Sequence, residues 1–301
     1  MLAFAAVPAP GAQTTAADVL ALLDGEGLLR EVALAPGEDA RSVTLEGFGA
    51  TGGAGPATLA GAWIAAAGTG FAGAMLLCDQ RSRGGAAPAP GRVIAVCERP
   101  RLAFALATER FFSHLVVDRE ATWLDPAGPE RAAHAGAWVM NASIGRGVTL
   151  GPHCVIGGAS MGFERDRTGR LVPLPQAGDV VIGDDVHIGG QASVQRGSLG
   201  TTRVGRGSKI GPHTNVAHNA QIGADVLIVG HVQIGGGARV GDGAVIGQGV
   251  VVKNGVSIGE GALIAMGSAI RYDVAPGELW SGNPAKRVGG HHGARRASPS
   301  L

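Results

Sequence analysis

Aromatic and charged residues are both scarce in this chain of 301 amino acids. Phe, Trp and Tyr together make up 4% of the sequence and Asp, Glu, Lys and Arg 16%, while 45% is hydrophobic and 52 residues are glycine. That hydrophobic share is typical of a folded chain rather than a disordered one. Few aromatics and many glycines suggest tight turns around thin aliphatic layers. The glycines do not recur at every third residue, which excludes a collagen-like chain.

Other absences limit the classes of function. The formal net charge is only +1, so the chain has no overall attraction to nucleic acid. No apolar run is long enough for a membrane span, and residues 1–13, which open without a positive segment, are interpreted as a loose N-terminus. The three cysteines form no Cys-x-x-Cys pair and are odd in number. Reduced thiols in a cytoplasmic protein are the simplest interpretation.

A six-residue repeat fills the C-terminal half of the chain. Every sixth residue from Val204 is Val or Ile, and Gly often follows it. A small or β-branched residue usually stands four positions after the Val or Ile. The same step appears in two earlier fragments, 144–156 and 182–194, and its phase breaks between these fragments and again at Gly200. The positions in the long run are Val204, Ile210, Val216, Ile222, Ile228, Ile234, Val240, Ile246, Val252, Ile258, Ile264 and Ile270.

This period predicts the fold. A six-residue step fits neither an α-helix, which repeats every 3.6 residues, nor an ordinary strand, which repeats every 2. Each hexad is one short strand and a corner, so that three hexads make one triangular coil. Coils stack with parallel pairing at about 4.8 Å per layer, and β-branched side chains pack well inside. We therefore predict a mainly β chain, a left-handed parallel β-helix whose flat faces favour a closed oligomer.

The rest of the chain divides by composition. Residues 14–115 predict a small α/β domain, with a helix capped by Thr15, buried strands at 74–78 and 93–97, and a helix over 100–112. A connector follows at 116–139, the prism covers 140–273, and an extended tail covers 274–301. The prism is interrupted by an insertion at 158–181, which is either functional, as long loops on rigid scaffolds often are, or a surface loop without a role.

His218 is the candidate for catalysis. It stands two residues after Val216, whose side chain points inward, so His218 is expected on the outside of the prism. One coil later the same position is Gly236. Amide formation needs a base for the attacking amine and an N–H donor for the oxyanion, and a histidine beside exposed backbone offers both. The alternative is a solvated surface histidine.

Two more histidines allow a metal hypothesis. His213 and His231 are three hexads apart and are expected on successive coils, with His218 near them. Zinc in a catalytic site takes three protein ligands and leaves one position open. A metal-dependent hydratase is therefore an alternative, although nothing in the spacing fixes the geometry, and the preferred interpretation assigns no metal.

These residues resemble the UDP-3-O-acylglucosamine N-acyltransferases of lipid A synthesis. The resemblance covers about residues 14–290 and is strongest over 141–275. It rests on segment 216–219 (Val-Ala-His-Asn), on the Arg-Gly at 196–197, and on the end of the insertion, 175–183. The resemblance implies a homotrimer in which His218 is the general base and the Gly236 N–H the oxyanion donor. It further implies substrate contacts at Asn219, Arg196, Gln176 and Phe163.

Several positions depart from the family pattern. Gln195 replaces an Asp, 211–212 is Gly-Pro where the family has Asp-Asn, and 159–162 is Ala-Ser-Met-Gly where it has Asp-Gly-Phe-Gly. A second family histidine is missing near Gly255, and the residues that hold uracil are not recognisable over 58–71. The family's helical C-terminal extension is missing too. In its place, 282–286 (Gly-Asn-Pro-Ala-Lys) resembles the tail of coenzyme A-dependent acetyltransferases.

The sequence thus predicts N-acyl transfer from acyl carrier protein or coenzyme A to the amine of a nucleotide-linked glucosamine. The thioester is already activated, so no cofactor is expected. Lys286 and Arg287 are either contacts for the donor phosphate or a solvated pair. Two alternatives stay open: a coenzyme A-dependent acetyltransferase acting on another amine, and a β-helix that binds without catalysing.

Overall fold

The computed structural model describes residues 14–45, 47–50, 58–62, 74–83, 89–116, 118–123 and 136–290. The expected loose N-terminus, 1–13, and the end of the tail, 291–301, lie outside these residues, as does most of the segment compared with the uracil-binding region. The chain forms two compact units. One comprises 1–117 together with 161–175, and the other comprises 118–160 together with 176–301.

The described helices all belong to the first unit. They are α1 (Ala16–Gly25), α2 (Gln80–Arg83) and α3 (Pro100–Phe111), with 3-10 turns at Ala40–Ser42 and Ser113–Leu115. Thr15 caps α1 as predicted: its hydroxyl accepts the Asp18 N–H, while the Asp18 carboxylate accepts the Thr15 N–H. Helix α3 begins with proline, where a missing N–H has no consequence.

A five-stranded sheet forms the core of this unit. Two of its strands, Met75–Cys78 and Val93–Cys97, are buried throughout, as the sequence predicts. Phe104 of α3 is fully buried, and Thr14–Thr15 forms a short antiparallel pair with Thr44–Leu45. The strand order is Leu29–Leu34, Val93–Cys97, Met75–Cys78, Thr58–Ala62 and Gly47–Ala50.

Most of the insertion belongs to the first unit. It forms a hairpin of Phe163–Arg165 and Leu171–Pro173. Four ion pairs tie it to the helical part of that unit: Glu164 with Arg101 at 3.0 Å and with Arg99 at 3.5 Å, Arg167 with Glu26 at 3.4 Å, and Arg170 with Glu109 at 3.0 Å. Exposed pairs stabilise little individually, but together they fix the direction of the hairpin.

The second unit is a prism whose three faces are β-sheets. The first face consists of Thr122–Trp123, Ala142–Ile144, Asp179–Ile182, Thr201–Val204, Gln221–Ile222, Arg239–Val240 and Ser257–Ile258. The second face consists of Thr149–Leu150, His187–Ile188, Lys209–Ile210, Leu227–Ile228, Val245–Ile246, Leu263–Ile264, Glu278–Gly282 and Ala285–Gly290. The third face consists of Trp138–Val139, Val155–Gly158, Ser193–Gln195, Asn215–Val216, Gln233–Ile234, Val251–Val252 and Ala269–Ile270.

The six-residue repeat is the core of this prism. All twelve aliphatic positions from Val204 to Ile270 are buried, none more than 3% exposed. They stack in register, as Val204, Ile222, Val240 and Ile258 do on the first face. The predicted fold class, a left-handed parallel β-helix with a small N-terminal α/β region, is confirmed.

The prism extends further than 140–273. Thr122–Trp123 and Trp138–Val139, expected in the connector, are strands of the first and third faces. At the other end the expected extended tail is a hairpin: Glu278–Gly282 pairs in parallel with Leu263–Ile264, and Ala285–Gly290 returns antiparallel to it. None of the described helices has both the length and the apolar character that a membrane crossing requires.

Candidate functional site

The predicted base lies in a column of residues along one edge of the prism. We call this column the third-face corner: it holds the residues two positions after each inward aliphatic of the third face. Successive strands pair in register, so these residues stack at about 4.8 Å per layer. The column contains Arg196, His218, Gly236, Asn254 and Tyr272.

The His218 ring has a defined tautomer. Its Nδ1 lies 3.0 Å from Asn219 Oδ1, and the Ser198 backbone N–H donates to the same oxygen at 3.0 Å. A backbone N–H only donates, so the Asn219 atom between them must be the carbonyl oxygen. Nδ1 therefore carries the proton, and Nε2 keeps its lone pair in the neutral ring. The half-buried imidazole presents a proton acceptor.

Asn219 is itself held by the backbone. Its φ of +61° is in the left-handed region, which Asn tolerates better than most residues. Its N–H donates to Thr202 Oγ1 at 2.7 Å, and Thr202 is fully buried. Ser198 lies in the loop 196–200, where the six-residue phase breaks. The break in the repeat is thus the segment that orients Asn219 and, through it, His218.

Gly236 provides the space that His218 occupies. A Cβ on Gly236 would lie 2.5 Å from His218 Nε2, closer than any real side-chain carbon approaches. The Gly236 N–H, predicted to stabilise an oxyanion, donates to Asn254 Oδ1 at 3.0 Å in this structure. Gly236 is therefore next to the His218 ring, and its N–H already has an acceptor.

The same bond recurs on another edge. The first-face corner holds the residues two positions after the inward aliphatics of the first face. There the Arg146 N–H donates to Asp184 Oδ1 at 2.8 Å, and the Ala224 N–H donates to Asp242 Oδ1 at 2.9 Å. An Asp or Asn oxygen that accepts from the neighbouring coil is thus a recurrent element of this prism.

Two predicted substrate contacts are buried in the prism. Arg196 is 4% exposed and pairs with Asp118 at 3.3 Å, and burial lowers the pKa of its guanidinium below the usual value. Gln176 is 6% exposed, and its Oε1 accepts from Ser160 Oγ at 2.6 Å and Ser198 Oγ at 3.1 Å. The structure gives both side chains structural partners. Gln176 joins the two ends of the insertion to the loop that orients Asn219.

Lys286 and Arg287 are not brought to the third-face corner. Phe163 belongs to the first unit, where its side chain is half exposed in the insertion hairpin. Lys286 and Arg287 are exposed on the last strand of the second face, and Arg287 Nε pairs with Glu278 at 3.0 Å. The hydrogen bond from Trp280, above all, lowers the pKa of Glu278, with Arg287 contributing less.

The histidines of the metal hypothesis do not converge. The exposed His213 and His231 stack, with ring centroids 4.7 Å apart and planes 16° from parallel. They lie at the corner after the second face, whereas His218 follows the third. Among the residues that the structure describes, no three His, Cys, Asp or Glu side chains form a group that could hold a metal ion.

Some residues near the site were not found by sequence reasoning. Asn254 and Tyr272 follow His218 and Gly236 in the third-face corner, each one coil further along the prism. The residues immediately before them in the chain, Lys253 and Arg271, are exposed cations. The regular period was the signal that could have found them.

A groove lies on the first face of the prism. Its volume is about 480 Å³, and it is lined in part by Arg203, Gln221 and Arg239. Gln221 Nε2 also donates to the Asn219 carbonyl at 3.1 Å, so one wall of the groove is bonded to the residue that orients His218.

Comparison with known proteins gives partial matches. The chain is 46% identical over 86 residues to the UDP-3-O-acylglucosamine N-acyltransferase of Anaeromyxobacter dehalogenans, covering 27% of this chain and 24% of that one. It is 38% identical over 154 residues to the protein of the same name from Methylorubrum extorquens, covering 51% and 44%. This chain thus spans less than half the length of either relative. No family model matches it.

Among solved structures, the UDP-N-acetylglucosamine acyltransferase from Campylobacter jejuni is similar at 22% identity. The match covers 56% of this chain and 72% of that one, with a TM-score of 0.44.

Proposed function

We propose that this chain is a hexapeptide-repeat acyltransferase, as the names of its partial relatives suggest, and that it moves an acyl group from a thioester to an amine with His218 as general base. The acceptor is the amine of a nucleotide-linked glucosamine resembling UDP-3-O-acylglucosamine. The donor is acyl carrier protein or coenzyme A. The names of the partial relatives support this acceptor.

One observation carries the proposal: the Asn219 oxygen leaves the lone pair of His218 on Nε2. Nε2 takes a proton from the amine as its nitrogen attacks the thioester carbonyl carbon. A C–N bond forms, the oxyanion accepts a hydrogen bond from the Gly236 N–H, and the C–S bond then breaks. The thiolate leaves and takes the proton back from Nε2, so that amine and thioester become amide and thiol.

A trimer is part of the same proposal. The second face carries an outward aliphatic column in register, and its first member, Leu227, is 38% exposed. An aliphatic column on a flat sheet face favours packing against another copy. Light scattering of the purified protein tests the trimer directly, and a monomer would contradict it. The members of the column are Leu227, Val245, Leu263 and Leu279.

Anionic parts of the substrates need cations. Lys286 and Arg287 remain candidates for the donor phosphate, although Arg287 already pairs with Glu278. Arg203 and Arg239 are a second possibility, since they are exposed on the first-face groove beside Gln221. Guanidinium groups bind phosphate oxygens through two parallel hydrogen bonds, which favours the arginines of the groove.

The test is detection of the amide product by mass spectrometry. Purified protein is incubated with UDP-3-O-acylglucosamine and with acyl-carrier-protein or acyl-coenzyme A donors in separate reactions. We expect product from one donor class, and none with His218→Ala when the oligomer is intact. Absence of product with both donors would refute the acceptor assignment.

The departures from the family favour a second candidate. Gln195, the Gly-Pro at 211–212 and the coenzyme A-type tail at 282–286 suggest acetyl transfer to another amine. Acetyl-coenzyme A tested with a panel of amino sugars would detect this activity. A prism that only binds would give no product, and its ligand affinity would survive His218→Ala.

A further inference from the structure

We propose that Asn254 is a gate on the oxyanion donor: its side-chain oxygen holds the Gly236 N–H at rest and leaves when the thioester carbonyl arrives. The inference rests on the proposed function and adds to it a residue that controls access of the acyl donor. The bond from the Gly236 N–H to Asn254 Oδ1, 3.0 Å long, is the observation that carries it.

The gate follows from the chemistry of the two acceptors. Asn254 Oδ1 is an amide carbonyl oxygen, and it lies where a thioester carbonyl oxygen must lie to receive the same N–H. A well-aligned N–H serves one strong acceptor at a time, so the two oxygens exclude each other. Gly236 is buried, but Asn254 is exposed, and its side chain can turn into solvent where water satisfies the amide.

The matched position on the other edge explains why the gate is an asparagine. Asp242 makes the same bond to the Ala224 N–H at the first-face corner, where none of the stacked residues is a histidine. A carboxylate at position 254 would place a negative charge about 3 Å from the developing oxyanion and would hold the N–H more strongly. A neutral amide accepts the Gly236 N–H when no substrate is bound and is displaced more easily by the thioester carbonyl.

The gate also has a cost in affinity. The donor carbonyl must displace Asn254 from the Gly236 N–H. The apparent affinity of the protein for the acyl donor is therefore the intrinsic affinity multiplied by the fraction of molecules in which this N–H is free. Removing the side chain is therefore expected to tighten donor binding, which is the reverse of what loss of a structural bond does.

The experiment compares Asn254→Asp and Asn254→Ala with the matched controls Asp242→Asn and Asp242→Ala. We expect kcat of Asn254→Asp to fall about 10²–10³-fold, the effect of losing one oxyanion donor. We expect the KM of Asn254→Ala for the acyl donor to fall about fivefold, the equivalent of one neutral hydrogen bond. Both Asp242 variants are expected to keep the wild-type kcat and KM.

A purely structural Asn254 predicts the opposite pattern. Asn254→Asp would then behave like wild type, as aspartate does at 242, and Asn254→Ala would raise KM together with a lower melting temperature. That pattern, with an active and His218-dependent wild type, overturns the gate alone. A wild type that makes no product with any donor overturns the proposed function, and the gate with it.

Discussion

Two edges of the prism carry matched triplets of residues and differ in what those residues can do. At the first-face corner the successive coils present Arg206, Ala224 and Asp242, and at the third-face corner they present His218, Gly236 and Asn254. The last two members of each triplet are joined by the same side-chain-to-backbone bond, at 2.9 and 3.0 Å. The hydrogen-bonding arrangement is thus common to both edges, and the candidate site arises because different residues occupy the third-face corner.

The surroundings of the first member differ as well. Arg206 is exposed and lies 3.7 Å from Asp225, whereas His218 is half buried and bonded to Asn219. The loop 196–200 lengthens the coil next to the third-face corner, so that Val194 pairs with Val216 across more chain than the regular three hexads. Extra chain at one edge supplies the N–H that orients Asn219. The candidate site thus lies next to the loop 196–200, where the six-residue repeat is interrupted.

The largest expected difference between the two edges comes from removing the proposed base, His218. We expect His218→Ala to lose about 10²–10⁴-fold in kcat, the usual contribution of a general base, because the proposed mechanism transfers the amine proton to His218. Arg206→Ala at the matched position is expected to keep full activity in the same product assay. Equal activity in His218→Ala and wild type would mean that the third-face corner is not the catalytic edge.

Adding one carbon to Gly236 is the next largest change. A Cβ there would lie 2.5 Å from Nε2, so Gly236→Ala must displace the imidazole. We expect kcat to fall about 10²-fold, as a misplacement of about 1 Å does. The first-face corner already carries alanine, and Ala224→Gly serves as the control with unchanged kcat. A Gly236→Ala enzyme as active as wild type would contradict the observed ring position.

Asn219→Gly separates tautomer control from backbone shape. Glycine accepts the φ of +61° without strain, so the substitution removes the amide while the chain path is kept. Without the Oδ1 acceptor the imidazole is free to place its proton on either nitrogen, and we expect kcat to fall about tenfold, the equivalent of one hydrogen bond. Gln191→Gly, also at positive φ, is the control. An unchanged kcat in Asn219→Gly would show that the tautomer of His218 set by Asn219 does not affect catalysis.

The smallest expected effect lies in the loop that supports Asn219. Ser198→Ala removes the hydroxyl that donates to Gln176 but keeps the N–H that orients Asn219. We expect a loss of about 1 kcal/mol in the free energy of unfolding and about a twofold change in kcat. Ser193→Ala, which removes a hydroxyl bonded to Asn215, is the control. A tenfold loss in kcat for Ser198→Ala alone would show that the loop contributes more than its backbone.

Much of the fold could be predicted because local rules and burial agree. The capped helix after Thr15, the buried strand Val93–Cys97 and the twelve-fold aliphatic run each follow from residue type and period. The ends of the prism were missed because the outermost strands depart from the pattern. Trp280, for example, stands in register with Ile264, although tryptophan does not belong to the aliphatic series.

The site was less predictable than the fold. The six-residue period shows that His218 points outward, but it does not show how deeply a polar residue is buried. Arg196 and Gln176, predicted to contact substrate, are both buried and bonded to other side chains. Asn254 was missed because asparagine is an ordinary corner residue. Its importance comes from the atom that it contacts, which only the structure shows.

The most direct test is the protonation of the His218 ring, because it requires no knowledge of the substrate. Long-range nitrogen–proton NMR of protein labelled at histidine, with the signal assigned by His218→Gln, identifies which ring nitrogen carries the proton in the neutral form. We expect a proton on Nδ1 in wild type and a mixture of both tautomers in Asn219→Gly. A neutral ring protonated on Nε2 in wild type would contradict it, since that nitrogen could not accept the proton of an attacking amine.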